Sequence, residues 1–526
     1  MLFNPPQIEI TDCDMPECEA LVEKDVRAAF LRWRDLYRTH IPRTIDRPLW
    51  EWSSALARVA GVTDSYPQAV HHEICDFVDE VVSHADFFED APSLIANVLH
   101  ILSSCLLLRP EELKRLKLRR DEARADLEEK FIGLFVKICR IIWTHRCLLL
   151  SKGNFDTSTF GTMALVQDKL HVMLMVYYTI RASNELLDDC GAPFRTDVFV
   201  HPGHEDVRRI ALLLWFHYDN TQEVKNREEF GAYSEDTIYW IKESTEALGS
   251  GREMEAFILS DILSEYGARR FLARLAVSLQ RIAPFAGRDL DAILWIIRFI
   301  TLRPEFVDHL ATCGVLKNLH GALSRLIHEV NDEGKTKGII LKTLFVYSGV
   351  AARASIPNGR AVIIRQCDVV GLLASVTLYV TKMQLFDFMK ECSDYIDDYV
   401  SFSKFMCERH SRNNVLRKSL TQSVRNHWYR TLQMLRSYRS TFSRDVIVHH
   451  RAIEGPWLAL GNALGLDEER EAAEYEREKK RMAQYCSRTA CQYHETKPPM
   501  PPNVCKGCGD ARYCSKTSAK RLEGRS

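Results

Sequence analysis

The chain has 526 residues, of which 46% are hydrophobic and 27% charged, with 70 Lys and Arg against 71 Asp and Glu. That length exceeds one ordinary hydrophobic core and calls for several domains or an elongated repeat array. A net charge of −1 excludes bulk electrostatic attraction to nucleic acid or to an anionic membrane surface.

Residues 1–20 read as a flexible N-terminal arm: a Pro5-Pro6 pair and acidic residues stand where a secretory signal would need an apolar run. Cys13-x4-Cys18 has the spacing of half a metal site without a second pair nearby, so both read as ordinary thiols. From Leu21 a helical period takes over, and Val22, Val26, Phe30, Trp33 and Tyr37 form a single stripe. Trp50–Val59, Ala69–Val82 and Ser93–Leu108 repeat the pattern, with His71-His72 and Cys75 at surface and core positions respectively. Pro110–Lys130 carries Lys114, Arg115, Lys117, Arg119 and Arg120, then Asp126, Glu128 and Glu129. Mixed signs without interleaved aromatics mark a solvated helix face, not a nucleic-acid surface. The apolar period resumes at Phe131, Phe135, Ile138 and Ile142. Lys137, Arg140, His145 and Arg146 interrupt it, as in a buried amphipathic helix and unlike a membrane span.

From about Phe160 to Val400 helices follow one another with short Gly or Pro breaks, and alternating strand patterns are scarce. Asp289–Leu302 is strongly apolar, and Pro304 restarts the chain in the next helix. A short helix, the turn Cys313-Gly314-Val315-Leu316 and a longer apolar helix then recur as a short helix, Cys367-Asp368-Val369-Val370 and a second long helix. Such a unit resembles the armadillo-type repeat, in which a helix group buries its apolar face only by stacking on its neighbours. The expected fold is mainly α: an irregular armadillo-like helical solenoid over 21–466, a charged connector helix over 467–485, and a small C-terminal zinc finger, incomplete, over 486–526. Scattered single cysteines fit reduced thiols in an intracellular protein.

The strongest chemical signal lies in the last of these segments. Five of the 16 cysteines, Cys486, Cys491, Cys505, Cys508 and Cys514, crowd into a polar, Pro-containing stretch. Thiolates are soft zinc ligands, and the Cys505-x2-Cys508 spacing lets two of them reach one ion, with Gly507 and Gly509 permitting the bend. Cys-x4-Cys, a Pro-rich spacer and Val504-Cys505-x-Gly-Cys508-x4-Tyr513-Cys514-Ser515 resemble the front of a MYND-type zinc finger, more specifically that of fungal MYND-domain proteins with a helical body. The resemblance implies two interleaved zinc ions, the first held by Cys486, Cys491 and Cys514 and the second by Cys505 and Cys508. The family pattern continues with a sixth Cys, a Gln, a Trp, a His and a last Cys. Here Ser518 stands at the sixth position, followed by Ala-Lys-Arg-Leu-Glu-Gly-Arg-Ser526. The zinc complement is therefore expected to be incomplete. Three alternatives stay open: His494 completes the first site, four thiolates share one ion, or the reading frame past Ser515 is in error.

The resemblance implies a non-catalytic adaptor whose partners are proteins or proline-containing peptides. Residues 486–526 hold eight Lys and Arg against three Asp and Glu, a modest excess that ranks nucleic acid below protein as a partner. The competing class is a lysine methyltransferase, since some MYND proteins carry a SET domain. Its Asn-His-Ser/Cys and Gly-Glu-Glu-Leu motifs are not found, nor are Gly-x-Ser-x-Gly or His-Glu-x-x-His.

Overall fold

The computed structural model describes residues 15–41, 46–62, 68–84, 86–105, 122–150, 163–186, 203–217, 233–246, 248, 251–282, 287–301, 303–329, 333–352, 357–409, 414–439, 444–486, 496, 498–500, 502–504 and 512–513. These residues are mainly helical and divide into two compact units, Met1–Gly267 and Ala268–Ser526.

In the first unit the helices are α1 (Met15–Lys24), α2 (Val26–Thr39), α3 (Arg47–Val62), α4 (Gln68–Ser83), α5 (Pro92–Ser104), α6 (Glu122–Thr144), α7 (Arg146–Leu150), α8 (Met163–Leu186), α9 (His204–His217) and α10 (Tyr233–Glu246). α11 (Arg252–Ala256) then runs through a π-helical segment (Phe257–Leu263) into α12 (Ser264–Tyr266). Packing follows two parallel successions. α1 packs on α3, α3 on α5 and α5 on α8; α4 packs on α6, α6 on α9 and α9 on α10. Phe131, Phe135, Ile138 and Ile142 on α6 are all buried, as their spacing predicts.

Two local expectations change in this unit. α1 begins at Met15, inside the stretch read as an arm, and Cys18 on it is buried. The single stripe from Val22 to Tyr37 is broken at Asp25, whose carboxylate accepts a hydrogen bond from the Ala28 N–H at 3.0 Å and caps α2. Capping outweighs helix continuity there because it satisfies an N–H that the new helix leaves bare. A charge network centred on buried Asp206 and Asp261 joins α9 to α6 and to the π-helical segment. Arg209 Nε lies 2.9 Å from Asp261 Oδ1, Arg208 Nη2 lies 3.5 Å from Asp261 Oδ2, and Arg140 Nε lies 3.0 Å from Asp206.

The second unit comprises α13 (Ala268–Arg281), α14 (Gly287–Ile300), α15 (Pro304–Leu310), α16 (Val315–Glu329), α17 (Glu333–Ala352), α18 (Pro357–Arg365), α19 (Val369–Lys382), α20 (Phe386–Arg409), α21 (Val415–Arg439), α22 (Arg444–Ala463) and α23 (Glu468–Met482). α14 packs on α17, α17 on α20 and α20 on α22, forming one layer. α13 packs on α16 and α19 on α21 in the other, and the short helix α18 touches both α16 and α21. Short helices α15 and α18 both open on a proline, which suits a first helical turn because its missing N–H would have no intrahelical partner.

A left-handed residue recurs immediately before a long helix: Gly203 at φ +88°, Gly267 at +72°, Gly314 at +77° and Asp368 at +38°. Glycine occupies three of the four because an L side chain clashes in that conformation.

α21 and α22 are locked by two buried tryptophans that exchange hydrogen bonds. Trp428 Nε1–H donates to the Trp457 carbonyl at 2.8 Å, and Trp457 Nε1–H donates to the Trp428 carbonyl at 3.0 Å. The charged helix α23 docks on α21 through part of its length, and its residues 476–482 are exposed. Glu471 is buried against Arg425 of α21 at 2.9 Å, and Tyr475 meets Tyr429 with ring centroids 5.6 Å apart. An antiparallel pair, β1 (Asn503–Val504) and β2 (Arg512–Tyr513), follows. Among the described residues no single helix is long and apolar enough to cross a membrane; the apolar pair Gly359–Arg365 and Val369–Lys382 is bent by 59°.

Candidate functional site

Of the five cysteines singled out by their spacing, Cys486 alone is described. It follows the last turn of α23 and is 1% exposed. Cys491, Cys505, Cys508 and Cys514 lie outside the described residues, as do His494 and Ser518. The described chain around them is informative. Asn503 pairs antiparallel with Tyr513 and Val504 with Arg512. Cys514 directly follows the returning strand. Among the described residues no group of three or more His, Cys, Asp or Glu is placed to hold a metal, so a zinc centre would draw on cysteines beyond them.

Most other described cysteines are core residues. Burial pushes the Cys75 and Cys392 thiols up to about 12, and those of Cys105 and Cys139 well above their ordinary value. Such thiols are poor nucleophiles and poor metal ligands, because both roles need the thiolate. His72 on the same helix as Cys75 instead faces Asp126 at 3.7 Å.

A second site is assembled by the fold. Where α16, α19 and α21 face one another, a cleft of about 340 Å³ is lined by His320, Leu323, Ser324, Asp368, Gly371, Leu372, Ser375 and His427. Asp368 sits at the N-cap of α19 with φ 38° and ψ 50°, accepting the Gly371 N–H at 3.4 Å through Oδ1. Its Oδ2 lies 3.4 Å from His427 Nε2. A β-carbon at Gly371 would come within 2.2 Å of Asp368 Oδ2 and 2.9 Å of His427 Nε2, so the glycine makes room for this pair. Burial acts to raise the Asp368 carboxyl, but His427, the Gly371 N–H and His320 outweigh it and hold it below its ordinary value. Burial lowers His320, which keeps its ring neutral, with Asp368 opposing. His320 Nδ1 is buried and has no hydrogen-bond partner.

Sequence spacing does not assemble this cleft, since its polar groups come from three helices distant along the chain. One signal was present: Asp368 stands at the turn position that Gly314 fills in the preceding unit.

Compared with protein-family models the chain matches none, and compared with curated proteins it again matches none.

Proposed function

We propose that the chain is a non-catalytic interaction adaptor, in which armadillo-like helical arrays carry a partial MYND-type zinc finger over residues 486–526. The observation that carries this reading is the order of helix packing. In each unit helices pack on the next helix and also on the second or third along, as α1 does on α3 and α14 on α17, as expected where repeats bury their faces by stacking. The short antiparallel pair β1–β2, on either side of Cys505 and Cys508 in sequence, supports the finger. Cys486, Cys491, Cys505, Cys508 and Cys514 would hold zinc, which would tie the segment into a small folded module by linking thiolates distant in sequence. The partners are proteins that present short proline-containing peptides.

The test is binding of the full chain to an array of proline-containing peptides, beside the double variant Cys505→Ser, Cys508→Ser. Capture of a subset of peptides, lost in the variant, is the expected result. Capture that survives the double substitution, or no capture at all, would contradict the reading. So would methyl transfer from S-adenosylmethionine to lysines of added proteins.

A further inference from the structure

The cleft between α16, α19 and α21 holds one carboxylate, Asp368, among histidine, serine and leucine side chains. Asp368 brings a carboxylate whose lone pairs are only partly used by Gly371 N–H and His427. His320 lines the cleft, and its neutral imidazole carries one ring-nitrogen lone pair. The Ser375 hydroxyl donates its proton to the Gly371 carbonyl at 2.8 Å, leaving oxygen lone pairs. Leu323 and Leu372 supply apolar wall between these groups.

The backbone adds an independent observation. At the equivalent turn before α16 the left-handed residue is Gly314, whereas before α19 it is Asp368 at φ +38°. Asp tolerates this conformation better than most L residues, yet glycine does so without strain. Asp368 caps α19 through the Gly371 N–H, a role the glycine before α16 cannot fill. What Asp368 adds over glycine is a carboxylate at the cleft, set against a histidine and next to a residue lacking a side chain. Strained residues of this kind concentrate at ligand sites.

We propose that this cleft binds one organic cation, a guanidinium or primary ammonium on an apolar stem. Its N–H groups are received by Asp368, His320 and Ser375, and its methylenes lie on Leu323 and Leu372. The volume is in the range of small-ligand pockets. Two sources share this chemistry: an Arg or Lys side chain of a partner protein, and a free diamine or guanidino metabolite. The inference is independent of the zinc module.

Calorimetric titration of the full chain tests it with two probes, agmatine and a capped peptide containing one arginine, each beside an uncharged control (the citrulline peptide for the second). One-to-one saturable binding of at least one probe is expected, with the citrulline peptide at least tenfold weaker. Tighter binding of the arginine peptide identifies a partner side chain, and tighter binding of agmatine a free amine; both support the proposal. Asp368→Asn keeps the cap and the tolerance of left-handed backbone while removing the charge, so it is expected to weaken binding at least tenfold while the chain still unfolds in a cooperative transition. Asp368→Gly, which copies Gly314, provides a second folded variant with the same expected loss. No saturable binding of either probe, equal binding of the citrulline peptide, or undiminished binding to Asp368→Asn would overturn the proposal.

Discussion

At position 461 a β-carbon would lie 2.1 Å from the Trp428 ring. The reciprocal Trp428–Trp457 hydrogen bonds need that close approach, so Gly461→Ala is expected to destabilise the chain by about 1–3 kcal/mol through overpacking. Gly133, in the middle of α6, has nothing within 4 Å of its would-be β-carbon. Gly133→Ala is therefore expected to stabilise by about 0.5–1 kcal/mol, since it removes backbone freedom from the unfolded chain. Urea unfolding of the two variants checks the opposite signs. Neither position is distinguished by sequence, because a glycine in a helical pattern looks the same whether or not a tryptophan rests on it.

His171 carries the clearest pH dependence. Burial lowers it from 6.5 to about 4, its Nδ1–H donating to the Gln167 carbonyl at 2.9 Å. The fold favours the neutral ring, so its contribution is complete above pH 6.5 and is lost as pH falls toward 4, by about 3 kcal/mol in all. Burial also brings His100 to about 4, so it adds a slope of the same sign. Denaturant midpoints measured from pH 7 to 4 are expected to fall, and His171→Gln to remove about half of that fall. A pH-independent midpoint in the native chain would contradict the burial of both rings. In the same unit Arg208 and Asp261 are 6% and 3% exposed. Asp261→Ala leaves Arg208 without its partner, and a loss of about 3–5 kcal/mol in unfolding free energy is expected.

Among the elements, those legible in sequence are the ones set by one strong local rule. The α6 stripe, the apolar helix before Pro304 and the proline start of α15 stand where periodicity and proline chemistry put them. Misreadings arose where two local rules competed or where packing intervened. At Asp25 the stripe and the cap are both helical signals, and only the cap interrupts the helix. α23 looks solvated on every face by composition. One turn of it nevertheless docks, because Glu471 finds Arg425 and Tyr475 finds Tyr429, partners that lie on another helix. Glu471→Ala is expected to free that helix. Amide exchange over residues 468–482 should accelerate while α21 and α22 keep their protection, and unchanged exchange would show that the ion pair does not hold the helix.

For the whole molecule, the expectation of a helix-only body agrees with the mainly helical structure, because the chain lacks the alternating patterns that build sheets. The division at Gly267 and Ala268 was not legible: Gly267 is one of several glycines that begin a helix from a left-handed turn. Nor was the cleft, which exists only once three helices face one another. The cysteine module rests on spacing alone, since Cys491, Cys505, Cys508 and Cys514 lie outside the described residues.

The central claim is that a helical scaffold displays a zinc-holding module built on Cys486, Cys491, Cys505, Cys508 and Cys514. Zinc content of the purified full chain tests it most directly, beside Cys505→Ser, Cys508→Ser. At least one zinc per chain, diminished in the variant, is the result predicted. A chain without zinc, or one whose zinc is unchanged by the double substitution, would contradict it and move the search for function wholly to the helical body.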